Sequence, residues 1–174
     1  TAAAGQWKVK KEKLLDQAGQ IEKYLKSHER TERQAEPELG AVHQAFRQLA
    51  DCFDSKNGGF GSAPKFPAPH NLIFLMEYGA REKRPEALAM AEKTLVQMYR
   101  GGIFDHIGGG FSRYSTDETW LVPHFEKMLY DNALLVMAYV EAFGLTGRNG
   151  YKCVARRILA YVEAELTDEK GGFY

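Results

Sequence analysis

Cysteine is scarce in this 174-residue sequence: only Cys52 and Cys153 occur. Two thiols so far apart build no disulfide framework and no zinc site of Cys/His spacing. Both fall in predicted helices, where buried free thiols of a reducing, cytoplasmic interior are expected. Excess charge of either sign is also missing, since 23 basic residues balance 23 acidic ones. A nucleic-acid surface, which needs a basic excess, is excluded. No apolar run approaches the roughly 20 residues that cross a bilayer, so no membrane partner is expected. The opening TAAAGQWKVKKEK has no apolar h-region after its basic residues and is not a signal peptide. The glycine-rich GGIFDHIGGG lacks the GK[ST] ending of a phosphate loop and follows no strand. There is no GxSxG elbow and no histidine beside either cysteine. No metal site and no cofactor are expected.

What is present is a soluble helical pattern. Hydrophobic residues make up 44% of the chain, which fits a folded domain. Residues 8–28 place Leu14, Ala18, Ile21 and Leu25 on one stripe of a helix. A polar linker containing Pro37 follows. Further helices are predicted over 38–54, 69–82, 85–99, 123–144 and 150–166. Those at 69–82 and 123–144 carry LIFLM, without a polar break, and the largely apolar ALLVMAYVEAF, and read as buried all round. The others are one-sided.

The layout repeats. GGF recurs at 58–60, 109–111 and 171–173. Each unit reads as an outer amphipathic helix, a Gly-Gly-Phe loop, an inner apolar helix and a turn. Stacked helical hairpins follow from such a period. The expected fold is all-α, a partial (α/α)6 toroid of about three hairpins. Its loops gather at one end, beside inner-helix N-termini whose N–H groups are unpaired. Six helices are about half a closed toroid, and the final GGFY reads as a loop cut in the middle. The expected domains are a leading helix and linker at 1–37 and a first half-toroid at 38–174. Exposed edges of the fragment would favour association.

Chemistry concentrates in residues 101–132. His124, Glu126, Lys127, Tyr130 and Asp131 fall at the predicted start of the fifth helix. Helical spacing sets Glu126 over Tyr130 and Lys127 over Asp131. A plain acidic first turn with one Lys–Asp pair accounts for part of this. The group with His124 reads better as a site, since a histidine and a carboxylate together relay protons. Asp105 and His106 form either an Asx-type turn or a second acid/base opposite His124. Arg113, Tyr114 and Trp120 either line a pocket for hydroxyls and a sugar ring or pin the loop. In the first loop Lys65, Phe66 and His70 hold the equivalent place, with Lys65 a substrate-binding candidate.

GGFGSAPKFP, RGGIFDHIGGGFSRYSTDETWLVPHFEKMLYDNALL and the closing GGFY together resemble the YyaL-like family of thioredoxin-domain proteins, which includes the spermatogenesis-associated members. The likeness runs over almost the whole chain. It implies an (α/α)6 toroid similar to N-acylglucosamine 2-epimerases and six-hairpin glycosidases, preceded by a thioredoxin-like domain that this chain lacks. That domain is the implied partner in the full protein. KMLYDNALL, residues 127–135, is also similar to the helix start K-x-L-Y-D-x-A of the epimerases. The resemblance implies a sugar-like substrate and an isomerase or epimerase reaction. His124 and His106 are the acid/base candidates and Glu126 the assisting group. Arg113, Tyr114, Trp120, Lys127, Tyr130 and Asp131 are candidates to bind substrate. The alternatives are a glycosidase using Asp105 and Glu126, or a non-catalytic scaffold for the thioredoxin-like domain.

Overall fold

The computed structural model describes residues 2–28 and 39–174, in two compact units divided between Leu39 and Gly40. In the first, helix α1 spans Ala2–His28, with non-helical backbone at Lys10. Its apolar residues Leu15, Ile21, Tyr24 and Leu25 are exposed. The predicted linker lies outside the described residues.

The second unit holds α2 (Leu39–Asp51), α3 (Pro69–Arg81), α4 (Pro85–Arg100), α5 (Leu129–Thr146) and α6 (Asn149–Glu165). Proline opens both α3 and α4, at the position where a missing N–H costs nothing. Gly147, at a φ of +67°, closes α5 in the left-handed region. Helix α3 packs on α4 and α5, and α5 packs on α6. Phe46 of α2 stacks on Tyr78 of α3 at 4.7 Å, and His43 meets the Tyr78 hydroxyl at 2.9 Å. Helices α3 and α5 are thus the inner pair. Leu72, Leu75 and Met76 face Leu95 and Met98, and Leu135 and Ala138 face Val154 and Ile158 in one fully or nearly buried core. Burial of each such side chain is worth about 1.5–3 kcal/mol. Tyr139 reaches from α5 to the Leu95 carbonyl of α4 at 2.8 Å.

Four expectations change. Helix α5 begins at Leu129 rather than 123, because residues 113–126 form a hairpin-like ribbon instead. Tyr114 accepts from the His124 amide, Arg113 donates to the Glu126 carbonyl, and Thr116 donates to Val122. Helix α5 is also not buried all round. Tyr130, Leu134, Met137, Val140 and Leu145 lie exposed along it. Both cysteines are free and exposed, and Cys52 lies in the turn after α2 rather than in a helix. No helix is long and apolar enough to cross a membrane among the described residues.

Candidate functional site

The Gly-Gly-Phe loops are three copies of one turn. In the first, the Asp54 amide donates to the Gly59 carbonyl and the Gly58 amide to the Asp54 carbonyl, while Phe53 bridges Phe60. In the second, Asp105, Gly109, Gly110, Phe104 and Phe111 repeat every one of these contacts. The carboxylate of each Asp also accepts two amides of its own turn, from Lys56 and Asn57 in one case and Ile107 and Gly108 in the other. A lysine from further along the chain then closes each turn. Lys65 donates to Asp54 and to the Gly58 carbonyl at 2.9 Å. Lys127 donates to Asp105 at 2.8 Å and to the Gly109 carbonyl at 2.9 Å.

The glycines permit close packing from the next hairpin. A Cβ on Gly59 would sit 2.5 Å from the Trp120 ring, and one on Gly110 would sit 2.5 Å from the Tyr161 ring. Both glycines have positive φ, +82° and +75°, so a side chain is disfavoured twice. Trp120 is fully buried and its indole N–H donates to the Asn57 carbonyl at 3.0 Å. Asn132, also fully buried, grips the Phe111 backbone from both sides, accepting its amide and donating to its carbonyl.

These contacts already occupy several of the candidate residues. Lys65 is fully buried, and its ammonium is held by Asp54, Gly58 and Glu118. It cannot touch a substrate and is corrected to a turn-closing cation. Lys127 does not pair with Asp131, as helical spacing suggested, because it precedes the helix and is drawn to Asp105. Hydrogen bonds from Lys127 and then from the Gly108 and Ile107 amides lower the Asp105 carboxyl to about 2. Burial works against ionisation of Asp54, yet Lys65 and the amides around it hold that carboxyl well below its usual range. Trp120 pins the loops. His106 packs against Tyr99 and Phe104, with its carbonyl bound by Arg157. No contact joins it to His124 among the described residues.

The ribbon assembles a second cluster. Tyr114 and His124 are cross-strand neighbours, and their rings stack at 4.6 Å and 18°. Phe66 lies against the other ring neighbour of this ladder, 4.8 Å from Tyr114. Arg113 donates to Glu126 at 3.1 Å. Glu126 Oε2 stands 3.9 Å from His124 Nδ1, beyond hydrogen-bond reach. That Nδ1 is buried without a partner, and so is Oδ2 of Asp131 in the first turn of α5. Burial pushes the Asp131 carboxyl up, with Arg113 opposing and Glu126 adding to the rise. Buried polar atoms are nearly always satisfied in folded proteins, so two such atoms without a hydrogen-bond partner set this cluster apart. Tyr130 is half-exposed beside them.

Asp117 holds the tip of the ribbon. It accepts from the Thr119 amide and hydroxyl and from the Leu121 and Val122 amides. Sequence reasoning missed Asp117, Asp54 and Asn132. The recurring D-x3-GGF at 54–60 and 105–111 was the signal for Asp54. No group of His, Cys, Asp and Glu that would hold a metal occurs among the described residues. A cleft of about 260 Å³ lies elsewhere, between α4, α5 and α6, lined by Leu95, Tyr99, Tyr139, Tyr151 and Arg148.

No protein-family model matches the sequence. The chain is homologous to human spermatogenesis-associated protein 20, 44% identical over 177 residues that cover 97% of this chain and 22% of that protein. An uncharacterised protein of Caenorhabditis elegans is 38% identical over 179 residues, covering 97% of this chain and 24% of its own length. The chain thus spans less than a quarter of the curated relatives it matches. Among solved structures it is similar to cellobiose 2-epimerase of Bacillus thermoamylovorans, at a TM-score of 0.66 and 17% identity over 77% of this chain and 39% of that one. An unsaturated glucuronyl hydrolase specific for heparin superposes at 0.63 with 17% identity, over 76% and 41%. A D-mannose isomerase superposes at 0.61 with 15% identity, over 76% and 38%. The fold is that of part of an α/α toroid.

Proposed function

We propose that the cluster at the start of α5 is part of a carbohydrate site, and that the complete domain isomerises or epimerises a sugar by proton transfer. The observation that carries this reading is the pair of orphaned buried atoms, His124 Nδ1 and Asp131 Oδ2, beside an aromatic ladder. Sugar rings present an apolar face to aromatic rings and hydroxyls to buried polar atoms, so one ligand class answers both features. The superposed structures named for epimerase, isomerase and hydrolase activities add a fold-level analogy.

In this reading His124 moves a proton at the carbon beside the sugar carbonyl, the stacked Tyr114 ring orients the imidazole, and Glu126, held by Arg113, supplies a nearby negative charge. Tyr114, Phe66 and Tyr130 form the ring platform. Asp131 receives a sugar hydroxyl. Asp105 is committed to Lys127 and two amides, which weighs against the glycosidase variant that needs it as an acid. A scaffold role has one observation in its favour, the exposed apolar face of α5.

The test is NMR of reducing mono- and disaccharides in deuterated water with the complete protein and its His124→Ala variant. Exchange of deuterium into the sugar, or a new sugar signal, lost in the variant, is the expected result. Absence of turnover across the panel, with no saturation-transfer contact to any sugar, transfers the assignment to the scaffold role.

A further inference from the structure

The third Gly-Gly-Phe turn has the same wiring as the first two. The Asp168 amide donates to the Gly172 carbonyl at 2.7 Å and the Gly171 amide to the Asp168 carbonyl at 2.8 Å. Thr167 bridges Phe173 as Phe53 bridges Phe60 and Phe104 bridges Phe111. Asp168 Oδ1 accepts the Lys170 amide. The turn is one residue shorter, D-x2-GGF, but its carboxylate and first glycine carbonyl hold the same positions in the wiring.

What differs is everything brought by the following hairpin. In the first turn an ammonium bridges Asp54 and Gly58, and the Trp120 ring covers Gly59. In the second an ammonium bridges Asp105 and Gly109, and the Tyr161 ring covers Gly110, with Lys127 4.3 Å above it. At the third, no described side chain donates to Asp168 Oδ2. Nothing lies within 4 Å of a Cβ added at Gly171 or Gly172. Phe173 is 62% exposed, whereas its counterpart Phe111 is fully buried. The open carboxylate and the bare ring are separate observations, one of charge and one of apolar surface.

We propose that the Asp168 turn is a lysine socket, filled by stretches of the same polypeptide lying outside residues 1–174. In the filled sockets the lysine precedes a helix and the ring comes from a separate, later stretch, so one stretch is expected to bring an ammonium to Asp168 and the Gly171 carbonyl and another an aromatic ring over Gly172. The two filled sockets fix the chemistry of the occupant, since a carboxylate paired with a carbonyl takes a three-donor ammonium. An arginine fork matches a carboxylate edge better than this mixed pair. The relatives have more than three-quarters of their length beyond the part this chain matches, enough to supply both stretches. The proposal does not depend on the carbohydrate reading.

The test compares Asp168→Asn with Asp105→Asn, each in residues 1–174 alone and in the polypeptide extended past Tyr174. Asp105→Asn is expected to lower the melting temperature in both. Asp168→Asn is expected to be silent in the shorter chain and to lower it by several degrees in the longer one. Zero-length carbodiimide crosslinking of the longer chain, read by mass spectrometry, is expected to join Asp168 to a lysine beyond Tyr174. An Asp168→Asn variant that melts like wild type in the longer chain overturns the proposal. So does a crosslink that, in isotopically mixed samples, joins two separate copies.

Discussion

Lys127 and Asp105 meet at 2.8 Å across 22 positions of sequence, in the same arrangement by which Lys65 meets Asp54 across 11. The two lysines are the keystones of their turns, yet they differ in depth. Lys65 has no exposed side-chain surface, while Lys127 retains 18% and Asp105 37%.

Depth sets the first prediction. Lys65→Met leaves a carboxylate and two carbonyls without a buried donor, and is expected to cost roughly 3–5 kcal/mol. Lys127→Met leaves groups that water reaches, and is expected to cost roughly 1–2 kcal/mol. Urea denaturation midpoints check the order, and equal losses would contradict it.

Acid behaviour follows from the same pairs. The Asp105 carboxyl is depressed from 3.8 unfolded to about 2 folded. The folded state therefore binds fewer protons between those values, and stability falls as pH falls. The stabilisation is complete above about pH 4 and disappears as pH approaches 2. In Lys127→Met the folded value moves back toward 3.8, so the acid-dependent loss is expected to be smaller. Melting temperature against pH for both proteins reads this directly.

Asp131 has the opposite sign. Its carboxyl is raised by burial, so the folded state holds the extra proton and ionisation at neutral pH opposes folding. Asp131→Asn is expected to stabilise the protein at pH 7, as substitutions at ligand sites often do. The gain should vanish below the unfolded value of 3.8, where both side chains are neutral. Sugar binding, if the proposed site is correct, is lost in the same variant.

The two tryptophans offer a spectroscopic check. Trp7 is 47% exposed and Trp120 fully buried. Iodide is expected to quench one class of emission and spare the other. Trp120→Ala removes the ring that packs on Gly59 and is expected to cost about 3–5 kcal/mol, while Trp7→Ala barely moves the melting point.

The helices and their hairpin rhythm were legible because burial writes a 3.6-residue period and glycine marks each turn. The start of α5 was not. Glu126 and Lys127 are good helix formers, but the Glu126 carbonyl is taken by Arg113 and the Lys127 ammonium by Asp105. Partners 13 and 22 residues away outweigh a local preference of a few tenths of a kcal/mol. Lys65 reads as a substrate-binding candidate because nothing in SAPKFP announces the acid that pairs with it. The uniform apolarity of α5 indicated two covered faces, but periodicity does not say whether both partners are present. The structure places His124 beside Tyr114 and Glu126. Its neighbours came from a cross-strand ladder rather than from a helix face.

Every closed turn here is completed by residues that come later. Trp120 seals the Asn57 carbonyl from 63 positions downstream, and Tyr161 covers Gly110 from the hairpin that follows it. A chain emerging from the ribosome therefore runs one unit in arrears, its newest turn always unfinished and its previous one just locked. Protease resistance on stalled nascent chains should advance in steps. The first hairpin would become resistant only when the second has cleared the exit, so each unit acts as the finishing tool of the one before.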